Sequence, residues 1–298
     1  NGYLFKLLNK RDKKFLVPIF IIFLIIGSYG IYVINFKYNQ INEGNLSAGI
    51  IQTNITQSEK WQTANIEKNI DNIFDSANNI KNVKLYITPE TSLTFDIIRN
   101  EYYRKKVLKK INDFDSYFQV GAQAIKEDPD YRYNSIFLFS SEGDIVNRYN
   151  KNRLVVFGEK IPFSNLVNKV TNKNWYSLAA GKKSRLFEIN EAKWKNLICS
   201  EIFYPILSNN LNDFDFIVNQ SNEAWFDNGL QKQMWSAAIF RAVESRKTVV
   251  KSGNRAISGV ILPSGKIKEM KPLDNVKEIK SDIILNKENT FYNKNGNY

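Results

Sequence analysis

From Phe15 to Ile34 the chain reads FLVPIFIIFLIIGSYGIYVI, twenty residues without a charge. At about 1.5 Å per residue such a helix is ~30 Å long, the thickness of a bilayer's hydrocarbon core. The run predicts a transmembrane helix over 15–34. A buried helix of this length rarely lacks every charged or amide side chain, and Pro18, Gly27 and Gly30 are tolerated in lipid. A cleaved signal peptide fits less well, because its apolar region is shorter, about 7–15 residues, and no small-x-small cleavage site follows here. Lys6, Lys10, Arg11, Lys13 and Lys14 precede the span and only Lys37 closely follows it. The positive-inside bias therefore makes residues 1–14 a cytoplasmic basic segment, 35–46 a polar linker and 47–298 an extracytoplasmic body. A chain opening directly into a basic loop, with Asn1 in first place, is expected to be part of a longer membrane protein.

Beyond the linker, short apolar runs alternate with amphipathic stretches. SAGIIQTNI (47–55) predicts a strand, Glu59 to Ile80 a helix, VKLYITPE (83–90) a strand and Ile98 to Asn112 a charged helix. Strands follow at 117–124, 135–140, 144–150 and 194–199, and FDFIVNQS (214–221) reads as a buried one. Gln231 to Arg246 predicts a helix. TVVKSG and ISGVILPSGKI predict a closing antiparallel pair with its turn at Pro263-Ser264-Gly265. This alternation is that of an α/β protein with layered helices and sheets.

Composition narrows the chemistry. With 43% apolar residues and 13% aromatic ones (Phe, Trp and Tyr), the 298 residues suffice for a packed core and exclude a disordered or fibrous chain. There is no histidine, so the usual base of serine and cysteine hydrolases and the commonest transition-metal ligand are missing. The one cysteine, Cys199, cannot form an internal disulfide or a thiolate metal cluster. Acid–base chemistry falls to Asp, Glu, Lys, Tyr or Cys, and no metal or other cofactor is expected. Of the net charge of +12, residues 1–37 carry +5, and the rest shows no Arg-rich run or phosphate loop, so nucleic acid is not an expected partner.

Three strand ends each deliver one reactive side chain where an apolar run stops, as active sites on α/β sheets require. Glu90 follows LYITP, Lys151 sits in NRYNKNRLVVFGEKIPF, and Cys199 in KNLICSEIFYP. A carboxylate leaving a buried strand suits a general base, an ammonium beside apolar chain suits an oxyanion partner, and the thiol is a soft nucleophile. Taken singly, each has a plainer reading: a solvated acid, a surface lysine, an inert core cysteine. Together, and with TPET (88–91), YNKNRLVVFGEKIPF (149–163), ICSE (198–201), NEAWF (222–226), RAVE in the helix from Gln233 to Glu244, and NRAIS (254–258), they make a recognisable series. The sequence resembles the carbon–nitrogen hydrolase (nitrilase) superfamily and, within it, the bacterial apolipoprotein N-acyltransferases, across about residues 47–298.

The resemblance implies a four-layer αββα sandwich preceded by one transmembrane helix, with Glu90 as general base, Lys151 as oxyanion partner and Cys199 as nucleophile. It also implies supporting roles for Glu159 and Glu201, and places Pro162, Trp225 and Phe226 at the mouth where substrate enters. The expected partners are a phospholipid acyl donor, a diacylglyceryl apolipoprotein acceptor and the bacterial inner membrane. Val156, Ser200, Glu223, Asp227, Met234 and Arg255-Ala256 depart from the family's usual residues, while the triad is intact. Two alternatives stay open at this point: a membrane-tethered amidase or nitrilase using the same triad, and an inactive homologue that binds lipid or a partner.

Overall fold

A computed structural model of the chain describes residues 2, 5, 16–37, 45–125, 132–163, 169, 177–182, 185–209, 213–226, 228–272 and 278–295. The chain divides into two compact units, 1–41 and 42–298. In the first, helix α1 (Leu16–Tyr32) continues as a π-helical turn, Val33–Lys37. Leu16–Lys37 is long and apolar enough to cross a membrane, and none of the side chains of α1 is buried. Phe15, most of the basic segment and most of the linker lie outside the described residues.

The second unit begins with β1 (Asn45–Ile50), α2 (Gln57–Lys60), α3 (Ile66–Asn78), β2 (Leu85–Ile87), β3 (Leu93–Asp96) and α4 (Glu101–Ile111). Next come β4 (Tyr117–Ile125), β5 (Arg132–Phe139), β6 (Ile145–Asn150), β7 (Leu186–Ile189), β8 (Ala192–Ile198) and α5 (Pro205–Asn209). The chain closes with β9 (Phe216–Asn222), α6 (Asn228–Ser245), β10 (Thr248–Asn254), β11 (Ser258–Ile261), β12 (Ile267–Lys271), β13 (Ile279–Ile284) and α7 (Phe291–Asn295). Among the described residues these strands form two sheets. One has the order β13-β1-β2-β4-β5-β6, with β3 also on β4, and the other β12-β11-β10-β9-β8-β7.

Apolar side chains from both sheets meet in one core, Ile50, Ile87 and Leu138 on one side with Ile198, Val218 and Val250 on the other. Met234, Trp235, Ala238 and Ala242 of α6 close the outer face of the second sheet. Ile70, Ile73 and Phe74 of α3 and Val107 and Ile111 of α4 cover the outer face of the first. The result is the expected αββα sandwich, in which every sheet face finds an apolar layer. A polar tie crosses the inner core: Gln119 donates to Asn196 and to Gln220, both at 2.8 Å, and accepts from Trp194 at 2.7 Å.

Direction matters more for function than layering. β1, β2 and β4 run parallel, as do β8, β9 and β10. β5 is antiparallel to β4 and β6 antiparallel to β5, so β6 runs with β2. A parallel bridge from Thr53 to Asn254 aligns the two sheets at the carboxyl ends of these strands. The residues following β2, β6, β8, β9 and β10 therefore gather at one end of the sandwich.

The expected helix from Glu59 to Ile80 is broken. A capping box between Thr56 and Glu59 starts α2, which stops at Trp61; a 3-10 turn, Thr63–Asn65, then leads into α3. The break seats the side chain of Lys60 in the interior although its neighbours Glu59 and Trp61 face solvent. The strands β3, β7 and β13 are additional to those expected. β13 alternates buried and open positions, as an edge strand with one covered face does, and returns to the first sheet beside β1. β10 and β11 are antiparallel as expected, but the Pro263-Ser264-Gly265 turn joins β11 to β12 instead of closing that pair.

Candidate active site

Glu90 lies in the turn between β2 and β3. The backbone there is pinned tightly: Thr91 has φ 47°, and a Cβ on Gly121 of β4 would come within 2.4 Å of the Pro89 carbonyl oxygen. Only glycine permits that approach. The buried Glu90 carboxylate accepts from Asn134 Nδ2 through Oε1 and from the Asn222 backbone N–H through Oε2, both at 2.6 Å. The first donor comes from β5 and the second from the end of β9, so the two sheets orient one carboxylate.

Lys151 follows β6 directly and is 1% exposed. Its ammonium donates to Glu159 at 2.8 Å and lies 3.7 Å from Glu90 Oε1. Glu159 is fixed by the Val155 N–H at 2.9 Å and by Asn134 Nδ2 at 3.2 Å. Burial alone lowers the affinity of Lys151 for its proton, but the charges of Glu90 and Glu159 outweigh it and hold the ammonium above the ordinary lysine range. It is a fixed positive charge at any physiological pH.

Cys199 leaves β8 with φ 51° and opens a 3-10 turn, Cys199–Phe203. A non-glycine residue in this region is strained, and the strain is met by Glu201, whose carboxylate organises the surrounding chain. It accepts from the N–H groups of Ile198, Asn152 and Arg153 at 2.8, 2.7 and 3.0 Å, and from the Tyr149 hydroxyl at 2.9 Å. Glu201 thus ties the turn carrying Cys199 to the loop carrying Lys151. Burial, then the charge of Glu90, push the Cys199 thiol well above its usual value, with Lys151 opposing. The resting group is a thiol, not a thiolate, so nucleophilic attack needs a base at hand.

The structure brings Glu90, Lys151, Glu159, Cys199 and Glu201 together. Pro162 is half-buried in the loop beyond Glu159, while Trp225 and Phe226 follow the end of β9 and are 63% and 45% exposed. Val156, Phe157 and Phe163, in the Lys151 loop, are also exposed, so both chain segments leaving the charged cluster present apolar side chains. Of the departures, Met234 is buried in the α6 layer, and Glu223 forms a fully buried ion pair with Lys251. Asp227 lies outside the described residues.

Sequence reasoning does not single out Asn134, Lys60 or the Lys251–Glu223 pair. A polar residue at the head of an apolar strand, as in RYNSIFLF, is the one signal Asn134 leaves, and it does not distinguish a site residue from an exposed strand end.

Residues 47–269 match the carbon–nitrogen hydrolase family. The chain belongs to that family. Its relatives include the apolipoprotein N-acyltransferase of Wigglesworthia glossinidia brevipalpis, 30% identical over 278 residues, which cover 89% of this chain and 55% of that protein. The apolipoprotein N-acyltransferase of Geobacter metallireducens is 28% identical over 296 residues, 95% of this chain and 56% of that one. The chain thus spans about half the length of the curated relatives it matches. Among solved structures, the CN-hydrolase superfamily protein XC1258 of Xanthomonas campestris superposes with a TM-score of 0.63 at 14% identity, over 80% of this chain and 91% of that one. Nit3 of Saccharomyces cerevisiae, from the nitrilase superfamily, gives 0.63 at 16% identity, over 83% and 93%. These likenesses bear on the fold: 42–298 has the two-sheet architecture of the carbon–nitrogen hydrolases.

Proposed function

We propose that this carbon–nitrogen hydrolase homologue is an acyltransferase that moves a fatty acyl chain from a phospholipid to the N-terminal amine of an S-diacylglyceryl-cysteine apolipoprotein. The observation that carries the reading is the convergence of Glu90, Lys151 and Cys199 in a chain without histidine. The apolipoprotein N-acyltransferase relatives and the helix at 16–37 support it over a soluble amidase.

In this mechanism Cys199 Sγ attacks the ester carbonyl while its proton passes to Glu90. Lys151 stabilises the tetrahedral oxyanion, and the lysophospholipid leaves with the proton held by Glu90. The acceptor amine then attacks the thioester, Glu90 takes the amine proton, and collapse to the amide returns it to the sulfur. Glu159 positions Lys151, and Glu201 holds the Cys199 turn. Pro162, Trp225 and Phe226 line the entrance and, with the other exposed apolar side chains, let acyl chains arrive without crossing water.

The proposed layout is a cytoplasmic segment at 1–14, a transmembrane helix at 15–34, a linker at 35–46 and a catalytic domain at 47–298 on the outer side of a bacterial inner membrane. Protease added to intact spheroplasts is expected to digest 47–298; full protection would reverse the orientation. Lys151→Ala is expected to slow acyl-enzyme formation by about 10²–10³ through loss of oxyanion stabilisation. Lys151→Arg should not rescue it, because a planar guanidinium cannot replace a compact ammonium between Glu90 and Glu159. Single-turnover acylation checks both, and near-normal rates in Lys151→Ala would take Lys151 out of this role.

The reaction class is tested by products. With phospholipid and saturating diacylglyceryl-cysteine peptide, a transferase gives N-acylated peptide, since it keeps water from the thioester until the acceptor arrives. Free fatty acid as the main product would make the hydrolase alternative the correct one.

A further inference from the structure

Lys60 is a buried charge that the mechanism above does not use. It is 2% exposed and belongs to the short helix that interrupts what the sequence reads as continuous. Its Nζ donates to the backbone carbonyl of Glu90 at 2.9 Å, and its own carbonyl accepts a long bond from Asn69 at 3.4 Å. The ionisable groups whose fields reach it are Glu90, at the end of β2, and Cys199, at the end of β8. Glu90 and Cys199 in turn feel Lys151, and Cys199 also feels Glu159 and Glu223.

We infer that Lys60 is a second cation of the active site, a positioning residue whose charge, acting on Glu90 and Cys199, makes the buried thiolate attainable. The charge balance supports this. Glu90, Glu159 and the Glu201 carboxylate bring three negative charges, and Lys151 supplies one positive charge. Without a charged Lys60 the cluster stands at minus two, and removing a proton from Cys199 sets another anion among carboxylates. With it the cluster stands at minus one, both before the proton moves and after Glu90 has accepted it. Burial lowers the proton affinity of Lys60 to about 8, against the pull of Glu90, so its charge is present at neutral pH and is lost as the pH rises through that value.

The inference rests on the thiol chemistry assigned to this site, and its test avoids acyl substrates. Iodoacetamide alkylates a thiolate: the S–C bond forms, iodide leaves, and the thiol proton passes to base. Cys199 is the one cysteine of the chain, so alkylation followed by mass in the membrane-embedded protein reports on it alone. Lys60→Met and Lys60→Gln both remove the charge, and Lys60→Gln keeps a donor near the Glu90 carbonyl. Both are expected to react about three- to tenfold more slowly at pH 7. That is the effect of raising the thiol by one pKa unit, partly offset by a more nucleophilic thiolate.

The pH profile separates electrostatics from packing. In the unmodified protein the rate should climb less than tenfold per pH unit through about 8, as Lys60 discharges and pushes the thiol up. In both variants that flattening should vanish. Unchanged rates, recovery in Lys60→Gln alone, or faster alkylation from a loosened fold would each overturn the assignment. Failure of the acyl-transfer reading shows separately, as normal alkylation behaviour without N-acylated product.

Discussion

Cys199→Ala is expected to abolish acyl transfer to the peptide acceptor, below detection with a fluorescent or radiolabelled phospholipid donor. The chain has no second thiol to carry an acyl group. Its carboxylates and lysines are unsuited to replace one: an acyl–carboxylate anhydride would hydrolyse, and Lys151, held charged by Glu90 and Glu159, has no free lone pair. The loss should be chemical rather than structural. The turn is shaped by the Glu201 network, which the substitution leaves in place. Thermal unfolding close to that of the parent, with no transfer, is the expected pair of results. Residual transfer above about one part in a thousand would require a route that bypasses the covalent intermediate.

Glu90→Gln should cost about 10²–10⁴ in the rate of acylation, the range for removing a general base. First, the thiol of Cys199 is raised by burial and by the charge of Glu90, so few molecules carry a thiolate near neutrality. Second, the carboxylate accepts bonds from Asn134 and from the Asn222 N–H, and a neutral amide in its place would turn one NH₂ toward a donor. The pH profile should change in a defined direction. With the internal base gone, reaction depends on thiolate formed by solvent, and because the thiol lies above its ordinary value the rate should keep rising with pH, by up to about tenfold per unit and by less where Lys60 discharges. Single-turnover kinetics measure this; near-normal acylation in Glu90→Gln would remove Glu90 as the base.

How much of this was legible in the sequence differs by feature. Strands with long apolar runs, such as IFLF in β5 and FIV in β9, are read correctly because both faces of the inner sheets are buried. The αββα order follows once alternation and the family resemblance are combined. β7 and β13 were not legible in the same way: each is short and one-sided, and β13 belongs to the sheet that holds β1, an association no local pattern announces. The helix expected from Glu59 to Ile80 reads as continuous because its apolar positions keep an amphipathic spacing, although Thr63 and Asn65 are poor helix formers. The T-x-x-E capping box at Thr56 is a local signal of where α2 starts, whereas the stop at Trp61 and the inward turn of Lys60 are tertiary demands that local propensity does not contain.

The site divides along the same line. Glu90, Lys151 and Cys199 mark strand ends, which apolar runs reveal, and their roles came from the resemblance. The groups that orient them are backbone N–H donors, as at Asn222, Asn152 and Arg153, or amides within strands, as at Asn134. Backbone donors have no side-chain signature. The left-handed conformation at Cys199 is likewise silent in the sequence, since the residue there is not glycine.

The central claim is that Cys199 carries the acyl chain between two substrates. Intact-mass spectrometry of the membrane-embedded protein tests it most directly, after incubation with phospholipid alone and again after adding diacylglyceryl-cysteine peptide. The account predicts one added acyl mass, mapped to the peptide containing Cys199 and released by hydroxylamine, that disappears on addition of acceptor as N-acylated peptide appears in equal amount. N-acylated peptide forming with no acyl mass on Cys199 at any time, or an acyl mass that the acceptor does not discharge, would contradict it.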